Sequence, residues 1–134
     1  MATTLKTPTT VNSGLYKEKG SKFLAFALPF DNVDELKAIL NQYKKEHHKA
    51  KHICFAYRIG AKGENFRAND NGEPPGTAGR PILRQIEAAN LTNILVVVVR
   101  YFGGTLLGTG GLCNAYKTAA NEAVTEAAKT AKDL

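Results

Sequence analysis

The sequence predicts an α+β domain, a two-layer sandwich with a sheet of about four strands and helices on one face. Three observations carry this reading. The run Ile94-Leu95-Val96-Val97-Val98-Val99 is an unbroken apolar block, β-branched at all but Leu95, the composition of a strand buried on both faces in the middle of a sheet. The segments 22–28 and 52–60 alternate side chains with period two, as strands do. Three other stretches place apolar residues three and four apart instead, which is the spacing of one helix face.

The elements follow in order. Residues 1–10 are polar and threonine-rich and are expected to be loosely held. Two strands come next, over about Val11 to Lys17 and Lys22 to Leu28, joined through Lys19-Gly20-Ser21 as a hairpin. Asn32 is a good helix N-cap, and Glu35 three residues later completes a capping box. Val33, Leu36, Leu40 and Tyr43 then share a face, and this helix ends near Glu46 to His48. The third strand, 52–60, puts Ile53, Phe55 and Tyr57 on one side and Cys54, Ala56 and Arg58 on the other. A loop or short strand carries Lys62 to Arg67.

The segment Asn69 to Gly76 is too rich in turn formers for regular structure. The second helix runs from about Thr77 to Ala89, with Thr77 as its cap and Pro81 tolerable only in the first turn. Ile82, Leu83 and Ile86 form its buried side and leave Arg80 and Arg84 together on another face. After the central strand, 94–101, a glycine-rich loop leads into the last helix. Its stripe of Leu112, Tyr116, Ala119, Ala120, Ala123 and Ala127 is thin, so it should lie close to the sheet.

With 134 residues the chain is one domain able to bury a real core. Eighteen basic against twelve acidic residues give a net charge of +6. That favours polyanionic partners such as RNA and says nothing about fold. No apolar run approaches the length of a membrane span. Cys54 and Cys113 are too few and too isolated for a disulfide framework. Both read as reduced thiols, which points to the cytoplasm.

Polar chemistry gathers at the two ends of the central strand. The tract Lys44 to His52 is either a phosphate-binding patch or a set of lysines complementing a helix C-terminus. A metal site on His48, His52 and Cys54 lacks a second cluster at zinc-like spacing. The glycine loop is not a Walker A loop, because no Gly-Lys-Ser/Thr follows. It is not a dinucleotide fingerprint, because Cys113 stands where the third glycine belongs. Two readings remain. Free N–H groups at a helix N-terminus attract anions, or the glycines simply permit a tight strand-to-helix connection.

The candidate phosphate-binding set is Arg80, Arg84, Arg100, Gly103, Gly104, Gly108, Gly110 and Lys117, with Asp70, Glu73, Thr77 and Tyr101 orienting the loops. Arg100 follows a buried strand and must be paired or solvated; Asp70 or Glu73 is its natural partner. Glu73 as a base and His52 as an acid–base group have the right chemistry. Nothing in the pattern fixes them around a nucleophile, and no catalytic residue, metal or cofactor is assigned.

The runs NDNGEPPGTAGRP and VVVVRYFGGTLLGTGGL resemble the two signatures of the IMPACT/YigZ family. The Gly20-Ser21-Lys22-Phe23 start and the strand from Ala50-Lys51-His52 to Tyr57 also fit. The resemblance covers about residues 10–125, and its RYFGG-x-x-LG-x-GGL spacing is highly specific. It implies one IMPACT/YigZ-like domain over 11–130, with a left-handed βαβ fold like a small-subunit ribosomal protein domain and domain IV of elongation factor G. Physics alone would predict the right-handed default. Two departures stand out. The family usually has Asp-Asp-Gly-Glu, where this chain has Asp70-Asn71-Gly72-Glu73, so one carboxylate is missing. The ferredoxin-like domain that often follows in bacterial members is not expected within this sequence.

The resemblance implies a module that binds RNA or the ribosome and is linked to translation or its regulation. A second class is a protein-interaction module that regulates translation-factor kinase signalling. An enzyme acting on a phosphate-bearing ligand is a third.

Overall fold

A computed structural model describes residues 4–134. Its strands are β1 (Lys6–Thr7), β2 (Asn12–Glu18), β3 (Ser21–Pro29), β4 (His52–Ile59), β5 (Asn65–Asn69), β6 (Ile94–Tyr101) and β7 (Lys132–Asp133). Its helices are α1 (Leu36–Glu46), α2 (Gly79–Ala88) and α3 (Gly108–Lys129). The fold is α+β, as expected. Five strands rather than about four make the main sheet, in the order β2-β3-β6-β4-β5, with every neighbouring pair antiparallel. The fifth strand is the short segment before the Asn69 loop.

β6 is central and buried along both faces, with Ile94 to Val99 all inaccessible. Successive side chains on a strand point to opposite faces, so the block divides. Val96 and Val98 join a core with Ile82 and Ile86 of α2 and the alanine stripe of α3. Leu95, Val97 and Val99 join a second core with Leu36 of α1, against which Ile39, Leu40 and Tyr43 also pack. The helices therefore do not all lie on one face: α2 and α3 cover one side, and α1 covers the other. A strand apolar on both sides requires such cover.

The topology settles the question of crossover hand. β3 and β4 are both antiparallel to β6, so they run parallel to each other, joined by α1 on one face. β5 and β6 are both antiparallel to β4, so they too are parallel, joined by α2 on the opposite face. The first crossover steps across the sheet in one direction; the second steps back. Parallel pairs pointing opposite ways, with opposite steps and helices on opposite faces, must have opposite hands. One of the two is left-handed, against the general right-handed rule.

Local chemistry explains most boundaries. Asn32 does cap a helical start, its Oδ1 accepting from the Asp34 N–H at 3.0 Å, but the first turn is 3-10 and α1 proper begins at Leu36. α3 lies close on the sheet because β2 presents Gly14 to it. A Cβ there would come within 2.8 Å of the Ala119 carbonyl oxygen and the Ala123 nitrogen. Within the stretch expected to be loosely held, Lys6–Thr7 pairs with Lys132–Asp133 and the Lys6 N–H donates to the Asn90 carbonyl. None of the helices is long and apolar enough to cross a membrane, among the described residues.

Candidate functional site

Alternation along β6 decides which polar groups meet. Arg100 follows Val98 onto the α2/α3 face, while Tyr101 turns to the α1 face. There the Tyr101 hydroxyl lies 2.6 Å from His47 Nδ1 and the Lys22 ammonium sits over its ring. Tyr101 does not orient the signature loops; it belongs to the other side of the sheet.

Arg100 is 5% exposed, and Glu73 is its partner. Nη1 donates to Oε1 at 3.0 Å and Oε2 at 2.8 Å. The guanidinium lies over the rings of Phe23 and Phe102. The Tyr116 hydroxyl donates to Glu73 Oε2 at 2.6 Å, and His52 Nε2 lies 3.3 Å from Oε1. Glu73 thus neutralises one cation and is held by three side chains from β4, β6 and α3. A carboxylate so engaged serves the structure first. It ties the signature loop to the sheet, and breaking such a buried pair is costly.

His52 is fixed from both sides. Its Nδ1 lies 2.7 Å from the Asn71 carbonyl, which can only accept, so this nitrogen carries a hydrogen. The contact with Glu73 is then attractive when Nε2 is protonated too. Burial pushes the Cys54 thiol up to about 12, and burial also raises the Tyr116 hydroxyl. Both remain protonated donors at neutral pH. Cys54 donates to the Asp70 carbonyl at 3.0 Å and Tyr116 to Glu73. Among the described residues no three metal-ligating side chains gather, and His52 and Cys54 are engaged as just described.

Asp70 does different work from Glu73. Its Oδ1 accepts from the Ala78 and Gly79 N–H groups at 3.1 and 2.8 Å, and its Oδ2 from Gly76 at 3.0 Å. A carboxylate at a helix start satisfies orphan donors and suits the helix dipole. This is the capping role expected of Thr77. Thr77 is buried and donates to the Pro74 carbonyl at 2.6 Å, closing the turn before α2. Asn71 stands where the family has its second carboxylate. Its Oδ1 accepts from the Ile53 N–H at 2.9 Å, pinning the loop to β4. That side chain is engaged with the strand backbone.

The remaining candidates separate into two recesses on either side of α3's first turn. Arg80 and Arg84, both exposed, line a groove of about 450 Å³ with Gly110, Asn114 and Lys117. Arg100, Glu73, His52 and Lys51 line a cavity of about 430 Å³ with Gly108, Thr109 and Leu112. Gly103 and Gly104 belong to neither lining. Gly103 packs against the backbone of Gly20, where a Cβ would collide, and its N–H donates to the Ser21 hydroxyl at 3.2 Å. That contact locks the β6 exit to the β2–β3 hairpin. His52, expected as an acid–base group, instead holds the Asn71 carbonyl and faces Glu73, and Tyr116 is a member of the site that the sequence did not reveal. Tyr116 counted only as part of an apolar stripe; a lone hydroxyl among its alanines was the available signal.

A fold of this topology with these two signature loops defines a family. The model of the Impact N-terminal domain matches residues 19–124. The chain belongs to the IMPACT family. It is 42% identical to the IMPACT family member YigZ of Escherichia coli over 108 residues, 79% of this chain and 53% of that protein. It is 47% identical to a Thermus thermophilus member over 109 residues, covering 81% and 58%. The Saccharomyces cerevisiae protein IMPACT homolog is 33% identical over 94 residues, covering 68% and 36%. The chain spans about half the length of the bacterial relatives it matches.

Among solved structures, a crystal structure of a hypothetical protein superposes with TM-score 0.81 at 32% identity, covering all of this chain and 64% of that one. The two-domain translational regulator Yih1 superposes with TM-score 0.51 at 28% identity, covering 91% and 46%. The family thus has a member in translational regulation.

Proposed function

We propose that this domain is a cytoplasmic RNA- or ribosome-binding module in translation or its regulation, and that the groove between α2 and α3 is its phosphate-binding surface. The observation that carries this reading is the convergence there of Arg80, Arg84 and Lys117 beside the start of α3. Three exposed cations from two helices, with Gly110 of the first turn between them, form a surface suited to a phosphate backbone. The net charge of +6 supports association with a polyanion. The likeness to Yih1 supports the link to translation. Two free cysteines suit a reducing compartment.

The test is the salt dependence of RNA binding. Arg80→Ala/Arg84→Ala should weaken binding, leave the circular dichroism spectrum unchanged, and flatten the salt slope by roughly one per lost phosphate contact. Unchanged binding in that variant, with loss on changing Lys44, Lys45 and Lys49 to Ala, would move the surface to the α1 side. Absence of RNA retention in the parent protein would favour a protein-interaction module.

A further inference from the structure

The cavity on the other side of α3's first turn carries features that the phosphate groove does not explain. Arg100 lines it, is 5% exposed, and has a buried Nε–H with no hydrogen-bond partner. Buried donors are satisfied in nearly all native structures, and an orphan calls for an explanation. Gly108 and Thr109 of the 22-residue helix α3 also line the cavity, and no side chain caps that helix. Among the described residues, its first-turn N–H groups have no side-chain acceptor. Finally, Phe102 and Leu106 stand at the rim, 45% and 82% exposed, beside a floor that holds Arg100, His52 and Lys51. Glu73 also lines the cavity and offsets Arg100, so exposed apolar side chains beside the exposed Lys51 ammonium fit a ligand with an anionic end and a flat apolar end.

We propose that this cavity binds a single nucleotide, its phosphate on the first-turn N–H groups of α3 with Lys51, and its base against Phe102 and Leu106. The volume of about 430 Å³ lies in the range of small-molecule sites. Phosphate at a helix N-terminus beside fixed cations is a recurrent arrangement. The exposed Lys51 supplies the charge, since Arg100 is paired with Glu73; the Arg100 guanidinium lies 5.6 Å from the Phe102 ring centroid, which leaves the opposite ring face for a base. Glu73 stays structural, because its oxygens are already engaged by Arg100, Tyr116 and His52. Two sources share this chemistry: a free nucleoside monophosphate, or an unpaired nucleotide of a bound RNA strand. The second rests on the RNA-binding reading, since such a strand would pass from the Arg80/Arg84 groove over Gly110 into the cavity.

The experiment is a titration of the full chain followed by amide NMR, with AMP, inorganic phosphate and single-stranded hexa-adenylate as probes. AMP should shift the Phe102, Gly108 and Thr109 signals saturably. Phe102→Ala should weaken AMP by about tenfold while leaving the phosphate shifts unchanged, and Leu106→Ala should act in the same direction without touching Arg100. Thr109→Glu places a carboxylate where a helix start favours it, so the fold persists while both AMP and phosphate lose the site. Hexa-adenylate binding the same amides more tightly than AMP assigns the nucleotide to RNA; equal affinity assigns it to free nucleotide. The proposal is overturned if AMP and hexa-adenylate leave these amides unmoved at millimolar concentration. Shifts confined to Arg80, Arg84 and Lys117 in that case would leave the RNA-binding groove standing. AMP affinity equal to that of phosphate and indifferent to Phe102→Ala also overturns it.

Discussion

The two faces of the sheet are built on different terms. On the α2/α3 face, eight residues of α3 are buried, most of them alanine, and Gly14 lets helix backbone meet strand backbone. Under the start of that helix lies a closed polar cluster of Glu73, Arg100, Tyr116, His52 and Cys54. On the α1 face only Leu36 of the helix is buried, and the rest of its apolar side packs half-exposed. The hydrogen bond there between side chains of different elements is a hydroxyl–imidazole pair, Tyr101 with His47. A tightly covered face can hold charges in fixed positions, and that is where the candidate site sits. The loosely covered face supplies cover for β6 and little else.

The comparison is sharpest where a charge enters the core. Val97 lies on the α1 face yet is fully buried at the centre of β6. Val97→Asp should leave little folded protein, because an unpaired buried charge costs several kcal/mol, comparable with the whole stability of a domain. A normal thermal melt would show that α1 does not seal its face. Next come the two polar clusters. Glu73→Ala strands Arg100 in the interior and should cost about 3–5 kcal/mol, whereas Tyr101→Phe removes one partly buried hydrogen bond and should cost about 1 kcal/mol. Denaturant midpoints measure both, and equal losses would erase the distinction between the faces.

Alkaline pH probes the closed cluster by itself. The Cys54 thiol, ordinarily near 9.0, is raised by burial to about 12. From pH 9 upward the unfolded chain releases that proton while the folded chain keeps it, so stability is full below pH 9 and falls towards pH 12. Tyr116, also raised by burial, adds to the fall at the upper end of that range. Cys54→Ala should make the decline in melting temperature between pH 8.5 and 10 shallower. An identical decline would mean that water reaches Cys54. The smallest effect belongs to the exposed end of α1, where Lys44→Ala/Lys45→Ala should change stability by less than about 0.5 kcal/mol per site.

Much of this division could be read from the residues. The alternation of β4, the stripes of α2 and α3 and the block Ile94–Val99 were sufficient to place every element of the α2/α3 layer. The same block, apolar on both faces, already required a second layer, and the expectation of helices on one face overlooked that. Pairing of Arg100 with an acid was legible because a charge after a buried strand needs a partner. Which acid it was depends on three dimensions. Asp70 reaches the amides of α2, and Glu73 reaches Arg100, although only two residues separate them. The candidate site itself was read as one surface. The first turn of α3 splits it, because Gly108 and Thr109 face one recess while Gly110 faces the other, and no spacing rule in a glycine-rich loop reveals that.

The central claim is that binding belongs to the α2/α3 face. Amide NMR of the protein titrated with single-stranded RNA at low salt tests it most directly. The account predicts saturable shifts at Gly76, Arg80, Arg84, Gly110 and Lys117, fading as salt rises, with Lys37, Lys44, Lys45 and Lys49 unmoved. Shifts centred on those α1 lysines, with the groove silent, would contradict it.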